Sequence, residues 1–204
     1  MSEDDAKAWI LAHFGATAAT AMKQLVAIVV AEAAQQNLVS PSTLGAMWSR
    51  HVVDSAQLLD HATNSTGPWI DIGSGAGFPG LVIAALTDRP IWLVEPRKRR
   101  AAFLQDAAQA LGVAQRTTVV CGRIEAVSVP AAIISARAVG SLDDLFSWAS
   151  RCATRETQWI LPKGRSAREE VVTAEQAWHG LFHVEHSITD PESLIVVASG
   201  VARR

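Results

Sequence analysis

The sequence predicts an α/β protein: a mostly parallel sheet closed by a C-terminal antiparallel hairpin, with an N-terminal helical cap. Three observations carry this. From Trp69 onward, short apolar runs alternate with helical stretches, the pattern of a parallel sheet with crossover helices. Residues 4–63 instead space their apolar side chains at helical intervals. The last two apolar runs, LFHVEHSI and SLIVVASG, are separated only by TDPE, too little chain for a helix, so they pair antiparallel. The expected division is a cap over residues 1–66 and a sheet domain over residues 67–204, together one compact unit.

In chain order, AWILAHF and ATAATAMKQLVAIVVAEAAQQ form the first helices. NLVSPST is a polar break, because Pro41 disfavours helix at the residue before it. A further helix runs from about Thr43 to His61, and NSTGP ends it with turn residues. The strands expected next are PWIDIG, IWLVE, TTVVC, AAIIS and TQWILP. The helices between and after them are GLVIAAL, RAAFLQDAAQALG, LDDLFSWAS and AREEVVTAEQAW. Most tryptophans, and both Cys121 and Cys152, fall in apolar or helical runs and are expected in the core.

Hydrophobic residues make up 49% and charged residues 19%, the balance of a folded chain rather than a disordered one. The longest apolar run, near Leu25–Ala31, is shorter than the roughly 18–20 residues a bilayer span needs, so no membrane association is expected. The acidic start MSEDDAKAWI is unlike a secretory signal, and a cytoplasmic location is expected. Two cysteines outside any CxxC pair exclude a disulfide scaffold and a four-cysteine metal site. The net charge of -2 is unevenly spread. Residues 89–168 carry 13 basic and 6 acidic side chains, net +7, between acidic flanks. Such a segment suits a polyanionic partner, or simply solvated helix faces.

The stretch Asp71-Ile72-Gly73-Ser74-Gly75-Ala76-Gly77-Phe78-Pro79-Gly80 follows the first strand and opens a helix. Glycine lets the backbone turn sharply and approach a ligand, and free N–H groups at a helix start face an acceptor. Gly75-x-Gly77-x-x-Gly80 formally fits a dinucleotide loop. Asp71 argues against a pyrophosphate there by like-charge repulsion, and suits the cationic methionine end of S-adenosyl-L-methionine. Glu95, at the end of the second strand, can accept hydrogen bonds from ribose hydroxyls of either cofactor. Phe78, an aromatic inside the loop, is expected near a purine.

The ordered set DIGSGAGFPG, VEPRKRRAAFLQDAAQALG, GRIE, ISARAV and LPKG, with Asn37-Leu38 and Arg50-His51-Val52-Val53-Asp54-Ser55 upstream, resembles the RsmG (GidB) family. Those are small-subunit rRNA guanine-N7 methyltransferases. The resemblance implies a Rossmann-like class I methyltransferase fold with S-adenosyl-L-methionine as cofactor and no metal. It implies methylation of guanine 527 in the 530 loop of 16S rRNA, with the RNA or the small subunit as partner of a monomer. By position it implies that Gly73 and Phe78 lie in the cofactor loop, that Ile124 and Glu125 flank the adenine, and that Arg137 stands between cofactor and RNA. Glu95 stands where the family often has Asp, and Ser135-Ala136-Arg137-Ala138 carries an extra alanine relative to its usual SRA.

Guanine N7 bears a lone pair and no proton, so its methylation needs positioning and charge compensation rather than a general base. For RNA phosphates the candidates are Arg97, Lys98 and Arg99, with Lys163 and Arg165 at the same sheet edge. Arg97 to Arg100 span a full helical turn, so only one or two can face the site. Arg50, His51 and Asp54 are candidates for lining it, and His51 and Asp54, three apart, could equally pair with each other. Two other readings stay open on the sequence alone: a nicotinamide-dependent oxidoreductase, and a non-catalytic rRNA-binding assembly factor.

Overall fold

The computed structural model describes all 204 residues. Helix α1, Glu3–Ala33, starts at a capping box: Ser2 Oγ accepts the Asp5 N–H, and the Asp5 carboxylate accepts the Ser2 N–H. It breaks at Gly15, whose φ of 79° separates the two helices expected there. One face, with Ala6, Ile10, Met22, Leu25 and Val29, is buried. By length and composition alone α1 is long and apolar enough to cross a bilayer, with a mean hydropathy of 1.5 over 18 residues, a property that core helices share. Its Glu3 carboxylate accepts the backbone N–H groups of Trp48 and Ser49 at 3.0 and 2.7 Å. Those are donors that a helix start otherwise leaves unpaired.

The helix expected over Thr43–His61 is instead a run of short turns of different pitch. A 3-10 turn (Pro41–Ala46) leads into a π turn (Trp48–Val53), then α2 (Asp54–Ala56) and another 3-10 turn (Gln57–His61). π turns carry an extra residue per turn and recur at functional sites. This one presents Arg50 and His51.

Seven strands follow: β1 (Trp69–Ile72), β2 (Ile91–Glu95), β3 (Thr117–Cys121), β4 (Ile133–Ala136), β5 (Gln158–Lys163), β6 (Trp178–His186) and β7 (Leu194–Arg203). Their order is β3-β2-β1-β4-β5-β7-β6. The first five are parallel, β7 runs antiparallel to β5, and β6 antiparallel to β7. The expected sheet and hairpin are therefore present. The chain reverses direction of winding between β1 and β4, so the crevice at their carboxyl ends is where an open α/β sheet binds its ligand.

Helices α3 (Gly80–Leu86) and α4 (Lys98–Ala110) share one sheet face with the cap. Trp69, Leu93, Ile133 and Ile160 join Leu25, Val52 and Leu58 in one core there. Helices α5 (Leu142–Trp148) and α6 (Ala167–Ala174) cover the other face over Ile70, Ile72, Ile134 and Trp159. Trp178 begins β6 rather than ending a helix, and packs on Phe146. Cys152 is buried, as expected, whereas Cys121 is exposed, because it ends an edge strand with no neighbour beyond it.

Asp71 is fully buried beneath the start of α3. One carboxylate oxygen accepts the Ser135 hydroxyl at 2.8 Å and the other accepts the Gly80 N–H at 3.2 Å. A Cβ on Gly80 would lie 2.2 Å from Leu93 Cδ2 and 2.8 Å from that same oxygen, so only glycine closes the contact. Burial, partly offset by these hydrogen bonds, raises the Asp71 pKa from 3.8 to about 6. A raised carboxyl pKa stabilises the fold fully below 3.8, and that contribution is lost as pH rises through about 6. Relative to Asp71→Asn, the native protein should lose up to about 3 kcal/mol of stability between pH 4 and pH 7 in urea unfolding. Parallel pH profiles for the two proteins would contradict this.

Candidate active site

The loop after β1 is held open from below. The Gly73 N–H donates to the Val94 carbonyl oxygen at 2.8 Å, fixing the loop to the end of β2. Glu95 is buried, and its two oxygens accept one backbone N–H each, from Gly75 at 3.0 Å and Arg97 at 2.9 Å. A carboxylate has about four acceptor positions, so each oxygen keeps capacity for another donor. Gly73 has a φ of 68°, and a Cβ there would lie 2.6 Å from Val139 Cγ2. Both facts demand glycine.

Two cavities open on this loop. The smaller, about 430 Å³, is lined by Glu95, Arg97, Ile124 and Glu125 among others. The larger, about 800 Å³, runs from Gly73, Gly75 and Phe78 to Arg50, His51, Asp54, Arg137 and Lys163. They meet at Gly73, Arg100, Ala138 and Val139. Ala138, directly after Arg137, takes a φ of 56°, uncommon for a residue with a Cβ.

Arg137, at the end of β4, ties the larger cavity together. Its Nη1 donates to the Arg50 carbonyl oxygen at 3.1 Å and to Asp54 Oδ2 at 3.3 Å. Its Nη2 donates to His51 Nδ1 at 2.9 Å. The guanidinium carbon lies 5.6 Å from the centre of the Phe78 ring, on which His51 also stacks at 5.0 Å. Because a guanidinium can only donate, His51 Nδ1 accepts and its Nε2–H donates to Thr43 Oγ1 at 3.0 Å, a tautomer assigned from this network. Burial, then the Arg137 and Arg50 charges, push the His51 pKa down to about 3, so the ring is neutral near pH 7. Asp54 Oδ1 in turn accepts from Gln57 Nε2 and Thr189 Oγ1 at 3.1 and 3.2 Å, reaching the β6–β7 loop.

The expected site residues thus divide. Gly73, Gly75, Phe78, Arg50, His51, Asp54 and Arg137 share the larger cavity, and Glu95, Ile124, Glu125 and Arg97 the smaller. Asp71 and Gly77 line neither: Asp71 is the buried brace below α3, and Gly77 packs against Leu81. His51 and Asp54 do not bond to each other; both bind Arg137. Lys163 reaches the larger cavity, where its ammonium is held by Glu170 Oε2 at 2.7 Å and the Gly140 carbonyl at 2.6 Å. Arg165 lies outside, exposed and paired with Glu192. Lys98 and Arg99 are exposed on the first turn of α4. Arg97 lines only the smaller cavity; the member of that cluster lining both is Arg100, and helical spacing alone could not select it. Thr189 was invisible in the sequence, being more than a hundred residues from the groups it serves.

This sheet order, with a glycine loop after β1 and an acid ending β2, defines a Rossmann-like, S-adenosylmethionine-dependent class of methyltransferase. Solved structures share the fold. The glycopeptide N-methyltransferase MtfA complexed with S-adenosyl-L-methionine matches with a TM-score of 0.58, at 12% identity, over 71% of this chain and 86% of that one. The ribosomal protein L11 methylase from Lactobacillus delbrueckii subsp. bulgaricus matches with a TM-score of 0.55, at 15% identity, over 74% and 77%. Within this class, residues 18–192 match the family model GidB, rRNA small subunit methyltransferase G. A ribosomal RNA small subunit methyltransferase G of Erythrobacter litoralis is 43% identical, over 99% of this chain and 98% of the relative. One of Rhizorhabdus wittichii is 45% identical, over 100% and 95%. The chain belongs to the rRNA small subunit methyltransferase G family. The nicotinamide reading is thereby set aside.

Gly73→Val places branched atoms against Val139 and forces an unfavourable φ. Calorimetry should find binding of S-adenosyl-L-homocysteine weakened at least about 100-fold, the scale of a strained, overpacked position. Near-native affinity would remove Gly73 from the cofactor floor.

Proposed function

We propose that this protein transfers a methyl group from S-adenosyl-L-methionine to N7 of one guanine in 16S rRNA, guanine 527 of the 530 loop. Family membership supports the reaction. The observation that carries its chemistry here is that the two candidate bases beside Arg137, His51 and Asp54, are already engaged within the chain. His51 accepts from Arg137 and donates to Thr43, so it holds no spare basic lone pair. Asp54 is committed to Arg137, Gln57 and Thr189. An acceptor atom that must first lose a proton would find no base, whereas a ring nitrogen with a free lone pair needs none.

The cofactor supplies an electrophilic methyl on a sulfonium. The residues present fit it. Glu95 retains acceptor capacity towards the smaller cavity, suited to ribose hydroxyls. Ile124 offers an apolar face for adenine beside Glu125. Gly73 brings bare backbone to the seam between the cavities, and Gly75 to the larger one. Arg137 has five N–H donors, and three are used within the chain. The other two are available to orient the target nucleotide. The guanine leaves its stack to reach this cavity unless it is already unpaired. Arg97, Lys98 and Arg99, exposed beside the opening, take backbone phosphates without reading sequence. The protein works on the ribosomal subunit or its RNA in the cytoplasm, as a monomer.

The test is a methyl-transfer assay with purified protein, labelled S-adenosyl-L-methionine and small-subunit RNA or particles from a strain lacking the gene. Mass spectrometry should find 7-methylguanosine at a single 530-loop position. Label in a different nucleoside, or none on any particle despite measured cofactor binding, would overturn the substrate assignment.

A further inference from the structure

Four cationic side chains line the larger cavity, and three are neutralised within the chain. Arg50 pairs with Asp190, Arg137 with Asp54 and Lys163 with Glu170. Arg100 has no carboxylate partner. Its single hydrogen bond goes from Nη2 to the neutral Asn37 carbonyl oxygen at 2.6 Å. Four of its five N–H donors, and its whole charge, stay uncommitted. Arg100 also stands at a particular place. It is half-buried in the first turn of α4, lines both cavities, and its Nη1 is 3.8 Å from where a Cβ on Gly75 would sit. A partly desolvated guanidinium over a glycine loop, with no anion in its own chain, is built for an anion that arrives.

We propose that Arg100 is a carboxylate-binding residue of the cofactor site, holding the α-carboxylate of the methionine end of S-adenosyl-L-methionine. This rests on the methyltransferase reading above. With ribose hydroxyls on Glu95 and the adenine by Ile124, the rest of the molecule crosses Gly73, where the two cavities meet. That end is a zwitterion, and its carboxylate needs a cation. The carboxylates lining the larger cavity, Asp54 and Glu170, already serve Arg137 and Lys163. Among the cations of that cavity, only Arg100 is free to answer. An RNA phosphate is the competing anion. Lys98 and Arg99 already present charge for it on the exposed side of the same turn, whereas Arg100 faces inward over the loop.

The experiment compares two probes by calorimetry on the full chain, native and Arg100→Gln. S-adenosyl-L-homocysteine carries the carboxylate; 5′-methylthioadenosine lacks it. Loss of one charge-assisted hydrogen-bond pair should weaken S-adenosyl-L-homocysteine about 10- to 100-fold. Methylthioadenosine should bind both proteins within about two-fold, which also reports that the variant site is folded. Arg100→Lys, which keeps the charge, should recover most of the loss. Unchanged S-adenosyl-L-homocysteine affinity, or equal weakening of both probes, overturns the proposal. So does unchanged cofactor affinity with weakened, less salt-dependent RNA binding, which would assign Arg100 to a phosphate. Failure of both probes to bind the native protein is a different result, and removes the cofactor reading itself.

Discussion

The site depends on where one guanidinium sits. Arg137 leaves the end of β4, at the sheet's reversal point, and is gripped by the cap, through the Arg50 carbonyl and His51 of the π turn and Asp54 of α2. Asp54 then reaches the β6–β7 loop through Thr189 and Ser187. Three segments far apart in sequence are therefore joined through one planar cation and its Asp54 partner. A fork of fixed geometry can do this and a flexible ammonium cannot, because several donors must be aimed at once. Hydrogen-bonded charges of this kind are worth little net on a surface but are costly to break when partly desolvated. The cap is thus more than a cover for one sheet face: it supplies one wall of the larger cavity, through Thr43, Arg50, His51 and Asp54.

The electrostatics around that cation are nearly balanced. His51 stays neutral because burial and two arginines oppose its protonation. Asp71, by contrast, sits under the glycine loop as a brace and not at its surface. Its buried carboxylate trades some stability near neutral pH for a fixed turn into α3. Glu95 does similar work on the other side of the loop, capping Gly75 and Arg97 while keeping acceptors towards the smaller cavity. Two acids positioned alike in sequence, each near a strand end, therefore differ in function because one faces a cavity and the other faces packed backbone.

The sheet was readable from the sequence because its signals are local. Alternating apolar runs and helical stretches report strands and crossovers, and a four-residue gap admits only a hairpin. The glycine loop and Glu95 were readable for the same reason. What escaped were tertiary choices. The expected helix over Thr43–His61 shows ordinary helical periodicity, and nothing local announces the change of pitch that lets His51 and Asp54 both reach Arg137. Which of Arg97 to Arg100 turns inward is decided by contact with Asn37, sixty-three residues away. The pairing of Lys163 with Glu170 is not legible locally, because Glu170 comes from the next helix. Asp71 looked ligand-facing because its burial depends on Ser135 of a neighbouring strand. Cys121 looked buried because an edge position is a property of strand order, not of an apolar run.

With Arg137 as the junction that builds the site, Asp54 acts on the reaction through Arg137. The direct measurement is a double-mutant cycle on kcat/KM for methylation of small-subunit particles, using Asp54→Asn, Arg137→Ala and the pair, with thermal unfolding followed in parallel. Each single change should slow the reaction, and the double variant should be no slower than Arg137→Ala alone, within about two-fold. Losses that simply multiply would mean the two residues work independently, and that the three-way junction on Arg137 is not what builds the site.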